Sequence, residues 1–130
     1  MTRREIREEI FRLLFRIEFY SEEELEEQLQ FTADEGEASE ADAAYIQNKI
    51  RDLAGRVTEI DDMINAVARG WKTGRMGKVD LTLIRLAVYE IKFEEDIPTG
   101  VAINEAVELA KRYGTDGSSS FVNGILAKIV

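Results

Sequence analysis

Arg3, Arg4 and Arg7 fall within about one turn of a helix start, and they are the first residues whose type and spacing can do chemistry. A guanidinium presents a planar fork of donors that matches phosphate oxygens. Glu5 and Glu8 are interleaved with them, so the same run also reads as a solvated surface. Toward the other end, Tyr113 and Phe121 flank a polar Gly/Asp/Ser loop. Rings beside small hydrogen-bonding groups can stack on splayed bases, although by periodicity alone both rings also suit a core. Asn104-Glu105 sits early in a helical stretch and reads as a helix-end stabiliser.

Covalent chemistry has little to work with. The chain has no Cys and no His, which removes thiolate nucleophiles, disulfides, zinc fingers, Ser/His/Asp triads and imidazole acid–base catalysis. Acids such as Asp61/Asp62 and Glu94/Glu95/Asp96 are adjacent in sequence; neighbours on a helix do not face one another, so these pairs read as solubilising groups. The glycine-rich stretch Gly70-Trp71-Lys72-Thr73-Gly74-Arg75-Met76-Gly77-Lys78 is basic, but a phosphate-binding loop needs a hydroxyl residue after Gly-Lys and a glycine six residues before that Lys. Val79 and Lys72 stand in those positions. We therefore expect no enzyme, no metal and no cofactor, and read 70–78 as the joint between two helical halves, about 1–70 and 71–130 of a single domain.

The net charge of −9 argues against a nucleic-acid partner only if it is spread evenly, and it is not. Residues 1–16 carry five Arg against three Glu, residues 18–42 carry eleven acids and no base, and residues 43–130 balance at twelve of each sign. The excess is confined to one stretch, and salt screens it beyond about 10 Å at 0.1 M. At 130 residues, 45% apolar and 33% charged, the chain has the composition of one globular domain. The N-terminus reaches acidic residues at once, and no window approaches the roughly 18 apolar residues of a membrane span, so a cytoplasmic location is expected.

The elements that must position these groups are helices. Ile6, Ile10, Leu13, Leu14 and Ile17 mark an amphipathic helix over Arg3–Tyr20, with Phe11 and Phe15 widening its stripe. Ser21 with Glu24 forms a capping box for a second helix ending near Phe31, followed by a loop over Thr32–Glu37. Ser39 with Asp42 repeats the spacing for a third helix, and a break near Thr58 separates it from a fourth through Ile60, Ile64 and Val67. Leu81–Phe93 is apolar almost all round, as befits a central helix. Pro98 and Gly100 precede a sixth helix that ends at Gly114. Asp116-Gly117 is a turn, and Ser118 or Ser119 can cap a last helix in which Asn123-Gly124 is locally ambiguous between helix and turn. The expectation is an all-α fold of about seven helices in two packed bundles.

From Asp80-Leu81-Thr82-Leu83-Ile84-Arg85-Leu86-Ala87-Val88-Tyr89-Glu90, through Ile97-Pro98 and Val101-Ala102-Ile103-Asn104-Glu105-Ala106-Val107-Glu108-Leu109-Ala110-Lys111, to Tyr113-Gly114 and Phe121-Val122-Asn123-Gly124-Ile125-Leu126, the chain closely resembles the NusB family of transcription antitermination factors. Arg3-Arg4 with Arg7-Glu8 and Phe15 is similar to that family's arginine-rich first helix. The resemblance implies two three-helix bundles and a role without bond making: binding boxA-containing single-stranded RNA, pairing with NusE, a small-subunit ribosomal protein, and joining the RNA polymerase complex that ignores terminators, notably in ribosomal RNA operons. It implies an RNA surface of Arg3, Arg4, Arg7, Phe15, Arg85, Tyr113, Ser118, Phe121 and Asn123, with Asp80 facing NusE. Gly117, Ser119 and Ser120 stand where some members carry charged or imidazole groups, and Phe15 where Tyr is common. Weak RNA binding without NusE, and an affinity that rises at least about tenfold with it, is the expectation. Two other readings remain: a general RNA-binding module of the kind attached to ribosomal RNA methyltransferases, against which the chain's end at Val130 argues, and a structural homodimer joined near Tyr113 and Phe121.

Overall fold

The structure is a computed structural model that describes residues 1–17, 22–35 and 38–130. Among the described residues there are seven α-helices, one 3₁₀ turn and no strand: α1 (Arg3–Ile17), α2 (Glu22–Glu35), α3 (Glu40–Gly55), α4 (Val57–Val67), the 3₁₀ turn (Thr73–Arg75), α5 (Lys78–Phe93), α6 (Thr99–Tyr113) and α7 (Ser118–Ile129). They form two compact units, Met1–Ala54 and Gly55–Val130. The division therefore falls well before the glycine-rich stretch that the sequence suggests as the joint. Helix α4 packs on α5 and α7, so it belongs with the C-terminal helices.

In the first unit, α1 starts on a capping box absent from the sequence reading. The Thr2 amide donates to Glu5 Oε1 at 2.8 Å and the Glu5 amide donates to Thr2 Oγ1 at 3.1 Å, satisfying two amides that a helix start leaves open. Ile10, Phe11, Leu13 and Leu14 form its buried face. Ser39 caps α3 as expected, its Oγ accepting from the Asp42 amide at 3.1 Å. Helix α2 continues to Glu35, past the loop expected from Thr32; Thr32-Ala33-Asp34-Glu35 holds no Gly or Pro to stop it. The expected Ser21 cap and the Gly36-Glu37 part of that loop lie outside the described residues. Helices α2 and α3 are tied by a two-bond pair from Arg51 to Glu26, at 2.8 and 2.9 Å, and by Gln47 Nε2 donating to the Leu29 carbonyl at 3.2 Å.

The second unit is built around α5. Every residue from Leu81 to Glu90 is buried except Arg85, as the all-round apolar composition requires. Helices α6 and α7 pack on it and on each other, contributing Ala102, Ala106, Leu109 and Ala110 from one and Val122, Ile125, Leu126 and Ile129 from the other. The break between α3 and α4 comes at Arg56 rather than Thr58, directly after Gly55, a poor helix former. Helix α7 runs straight through Asn123-Gly124. One exposed glycine disfavours a helix by only about 1 kcal/mol, less than the buried stripe on the opposite face supplies.

Candidate nucleic-acid interface

On α1 the three arginines separate by environment. Arg3 and Arg4 are exposed, whereas Arg7 is only 9% exposed. The i, i+4 rise of a helix carries Arg7 onto the edge of the buried stripe occupied by Ile10, Phe11 and Leu14. Of the acids interleaved with them, Glu5 is engaged by Thr2, which holds its carboxyl below the usual range: the Thr2 amide is the first cause, the Thr2 hydroxyl the second. Glu8 accepts from Arg12 one turn on at 3.0 Å. Phe15 is half-buried, its ring 6.1 Å from that of Phe11 at 47°.

In the second unit the α6–α7 corner is shaped by two glycines. A Cβ on Gly114 would lie 2.5 Å from both Cβ and Oγ of Ser118 and 2.7 Å from the Ala110 carbonyl oxygen, so only glycine lets the chain close there. Gly117 has φ +90°, a left-handed conformation that glycine adopts without strain, and it occupies the cap position of α7. Neither Ser118 nor Ser119 supplies the cap: α7 has no side-chain cap bond, and Ser118 and Ser119 are its first two residues. Ser118 is 4% exposed, and its Oγ accepts from the Thr115 amide at 3.0 Å. The structure thus uses that hydroxyl to fasten the turn. Tyr113 and Phe121 are half-buried, and Asn123 is exposed on the first turns of α7. The Arg112 guanidinium lies 5.5 Å from the centre of the Tyr113 ring.

Arg85 is bound on α5. Its Nε and Nη2 donate to the two Asp61 oxygens at 2.8 and 2.7 Å, with the side chains 16% and 22% exposed. The pair joins α5 to α4 and engages the carboxylate that the sequence set beside Asp62. Asp80 is half-buried in the first turn of α5. No group of three potential metal ligands occurs among the described residues, and no described helix is long and apolar enough to cross a membrane.

The glycine-rich stretch is more than a connector. Trp71, the chain's single tryptophan, is 55% exposed. Its ring meets Phe121 edge-on, with centroids 6.3 Å apart at 75°, and the Arg75 guanidinium lies over it at 5.5 Å. Sequence reasoning passed these two residues over; the signal available was a lone Trp inside a decapeptide, Arg69 to Lys78, that carries four bases and no acid.

An all-helical chain with this element order has known counterparts. The solved structure of T. maritima NusB superposes with a TM-score of 0.86 at 36% identity, covering 99% of this chain and 90% of that one. The model of the NusB family matches residues 4–130. Two curated relatives, both named transcription antitermination protein NusB, are 54% identical over 98% of each chain (Agathobacter rectalis) and 51% identical over 100% of this chain and 99% of the other (Lachnoclostridium phytofermentans). The chain belongs to the NusB family.

Proposed function

We propose that this protein is a transcription antitermination factor, not an enzyme, that binds boxA-containing single-stranded RNA together with NusE and so helps RNA polymerase read through terminators, notably in ribosomal RNA operons. The names of its full-length relatives support the general role. The RNA assignment is supported by the exposure of Arg3 and Arg4 in the first unit and, within the second, by half-buried rings at Tyr113 and Phe121 with an exposed amide at Asn123, on a chain whose excess acidity is confined to residues 18–42.

In this reading Arg3 and Arg4 neutralise phosphates and set register, while Phe15, Tyr113 and Phe121 offer ring faces to unstacked bases and Asn123 bonds to a base edge. Arg7, Arg85 and Ser118 act mainly by holding α1, α5 and the α6–α7 turn in shape, since each is buried or already paired. Asp80, at the start of α5, faces NusE. The test is a titration of fluorescently labelled boxA RNA with and without NusE. Affinity rises at least about tenfold with NusE, because the second contact becomes intramolecular, and falls steeply with salt. Overlaid curves, or no binding in either arm, reject the assignment.

A further inference from the structure

We infer that Trp71 is a stacking platform for an unpaired base of the RNA, set edge-on against Phe121 and charged by Arg75 and its basic neighbours. The inference rests on the RNA-binding reading and extends it to residues which that reading does not use.

Four observations carry it. The first is exposure: Trp71 leaves 55% of its surface open although it sits next to a well-packed helical unit, and a large ring so placed serves no core. The second is preorganisation. The Asn65 side chain clamps the stretch, Oδ1 accepting from the Thr73 amide at 2.8 Å and Nδ2 donating to Thr73 Oγ1 at 3.3 Å. The Trp71 amide donates to the Ala68 carbonyl at 3.2 Å, and Gly70 takes φ +78° to make that turn. A segment whose backbone is already fastened, with its ring against Phe121, loses less freedom on binding than an unstructured loop would.

The third is charge. Arg69, Lys72 and Arg75 are exposed and Lys78 half-exposed, and no acid lies between Arg69 and Lys78. On a chain of net charge −9, such a segment selects an anionic partner. The fourth is continuity: Phe121 joins Trp71 to the helix turn that carries Asn123. A ring with a cation beside it, next to a second ring and a base-reading amide, has the composition of a single-strand track, in which bases stack on aromatic faces and phosphates lie along arginines and lysines. An apolar protein segment would meet the rings but not the four cations, so RNA is the occupant the chemistry favours.

The single tryptophan makes the test direct. Wild-type protein is titrated with a boxA-containing RNA oligonucleotide and, separately, with NusE alone, following tryptophan emission and, for RNA, the anisotropy of a labelled strand. RNA quenches emission saturably at the concentrations that raise anisotropy; Trp71→Ala weakens RNA binding about tenfold, Arg75→Ala weakens it and flattens the salt dependence, and Trp71→Phe retains most of the affinity. Circular dichroism melts confirm that the variants fold. RNA binding that leaves emission unchanged and is equal in wild type and Trp71→Ala overturns the platform while sparing the RNA reading. Quenching by NusE but not by RNA overturns it too and makes Trp71 a protein contact. Absence of any RNA binding by wild type, with or without NusE, removes the RNA reading and the platform together.

Discussion

Arg85 and Asp61 form a two-bond ion pair that bridges the middle of α5 to α4, with both nitrogen–oxygen distances under 3 Å and both side chains more than three-quarters shielded from water. Removing Asp61 takes both of these hydrogen bonds from Arg85. Asp61→Ala leaves a guanidinium at 16% exposure without its fork partner, so it should destabilise the second unit by about 1–3 kcal/mol, short of the value for a fully buried pair. Arg85→Met, which keeps the stem packed on α5, should cost less. Urea denaturation of both variants followed by circular dichroism measures the ordering; an Asp61→Ala protein as stable as wild type contradicts it.

The α6–α7 corner gives a sharper stability expectation. Gly114→Ala forces a Cβ to within 2.5 Å of Ser118 and 2.7 Å of a backbone oxygen, and the oxygen cannot yield without moving the end of α6. Overpacking of this kind costs about 1–3 kcal/mol. At Gly117 there is open space, so Gly117→Ala meets only the left-handed backbone penalty, about 1 kcal/mol. Thermal melts should therefore rank wild type above Gly117→Ala above Gly114→Ala, and the reverse ranking of the two variants would mean the turn is set differently.

Two exposed carboxylates should lend the first unit a modest acid sensitivity. Glu26 is held below its ordinary value of 4.5 chiefly by the hydrogen bonds from Arg51, and Glu5 by those from Thr2. A carboxylate depressed in the folded state binds protons more weakly there than in the unfolded chain, so its contribution is complete above the ordinary value and is lost as pH falls through the lowered one. Stability should drop as pH is taken below about 4.5, and Glu26→Gln, with no proton to gain, should show a shallower drop over that window. Parallel acid titrations of chemical denaturation midpoints decide the matter; superimposable profiles count against the Arg51–Glu26 linkage.

Helix positions were legible wherever apolar spacing was strong. Ile46, Ile50 and Leu53 placed α3, and the apolar run from Leu81 announced the central helix because every position from Leu81 to Glu90 except Arg85 is buried. Boundaries were less legible. Thr32 looked like loop because polar residues obscure periodicity, yet helix continues to Glu35 in the absence of a breaker. Ser118 looked like a cap or a ligand group because residue type says nothing about which neighbour a hydroxyl meets; Gly114 turns out to leave the space into which it folds. Likewise Arg85 is a lone base in an apolar helix, and only the fold brings Asp61 to it from 24 residues away. Trp71 was passed over for the opposite reason, since a glycine-rich segment reads as linkage until Asn65 is seen to hold it.

The same contrast between exposed and enclosed groups separates the arginines of α1. Arg3 and Arg4 are exposed, and Arg7 is 9% exposed. Reversing charge at the exposed pair, Arg3→Glu with Arg4→Glu, should leave the melting temperature within a few degrees of wild type, because surface substitutions away from packed features move stability by about 0.5 kcal/mol or less. It should nevertheless weaken boxA binding at least about tenfold and reduce the slope of log affinity against log salt by about 0.7 for each lost phosphate contact on a single strand. Arg7→Glu should do the reverse in order of cause: it places a carboxylate where a long stem now packs, lowers the melting temperature first, and weakens RNA through the loss of helix geometry. Melts and salt-series titrations on the two variants distinguish the roles. A stable Arg7→Glu protein with a reduced salt slope would make Arg7 a direct phosphate ligand, and an Arg3→Glu, Arg4→Glu protein that folds and binds boxA like wild type would remove the start of α1 from the interface.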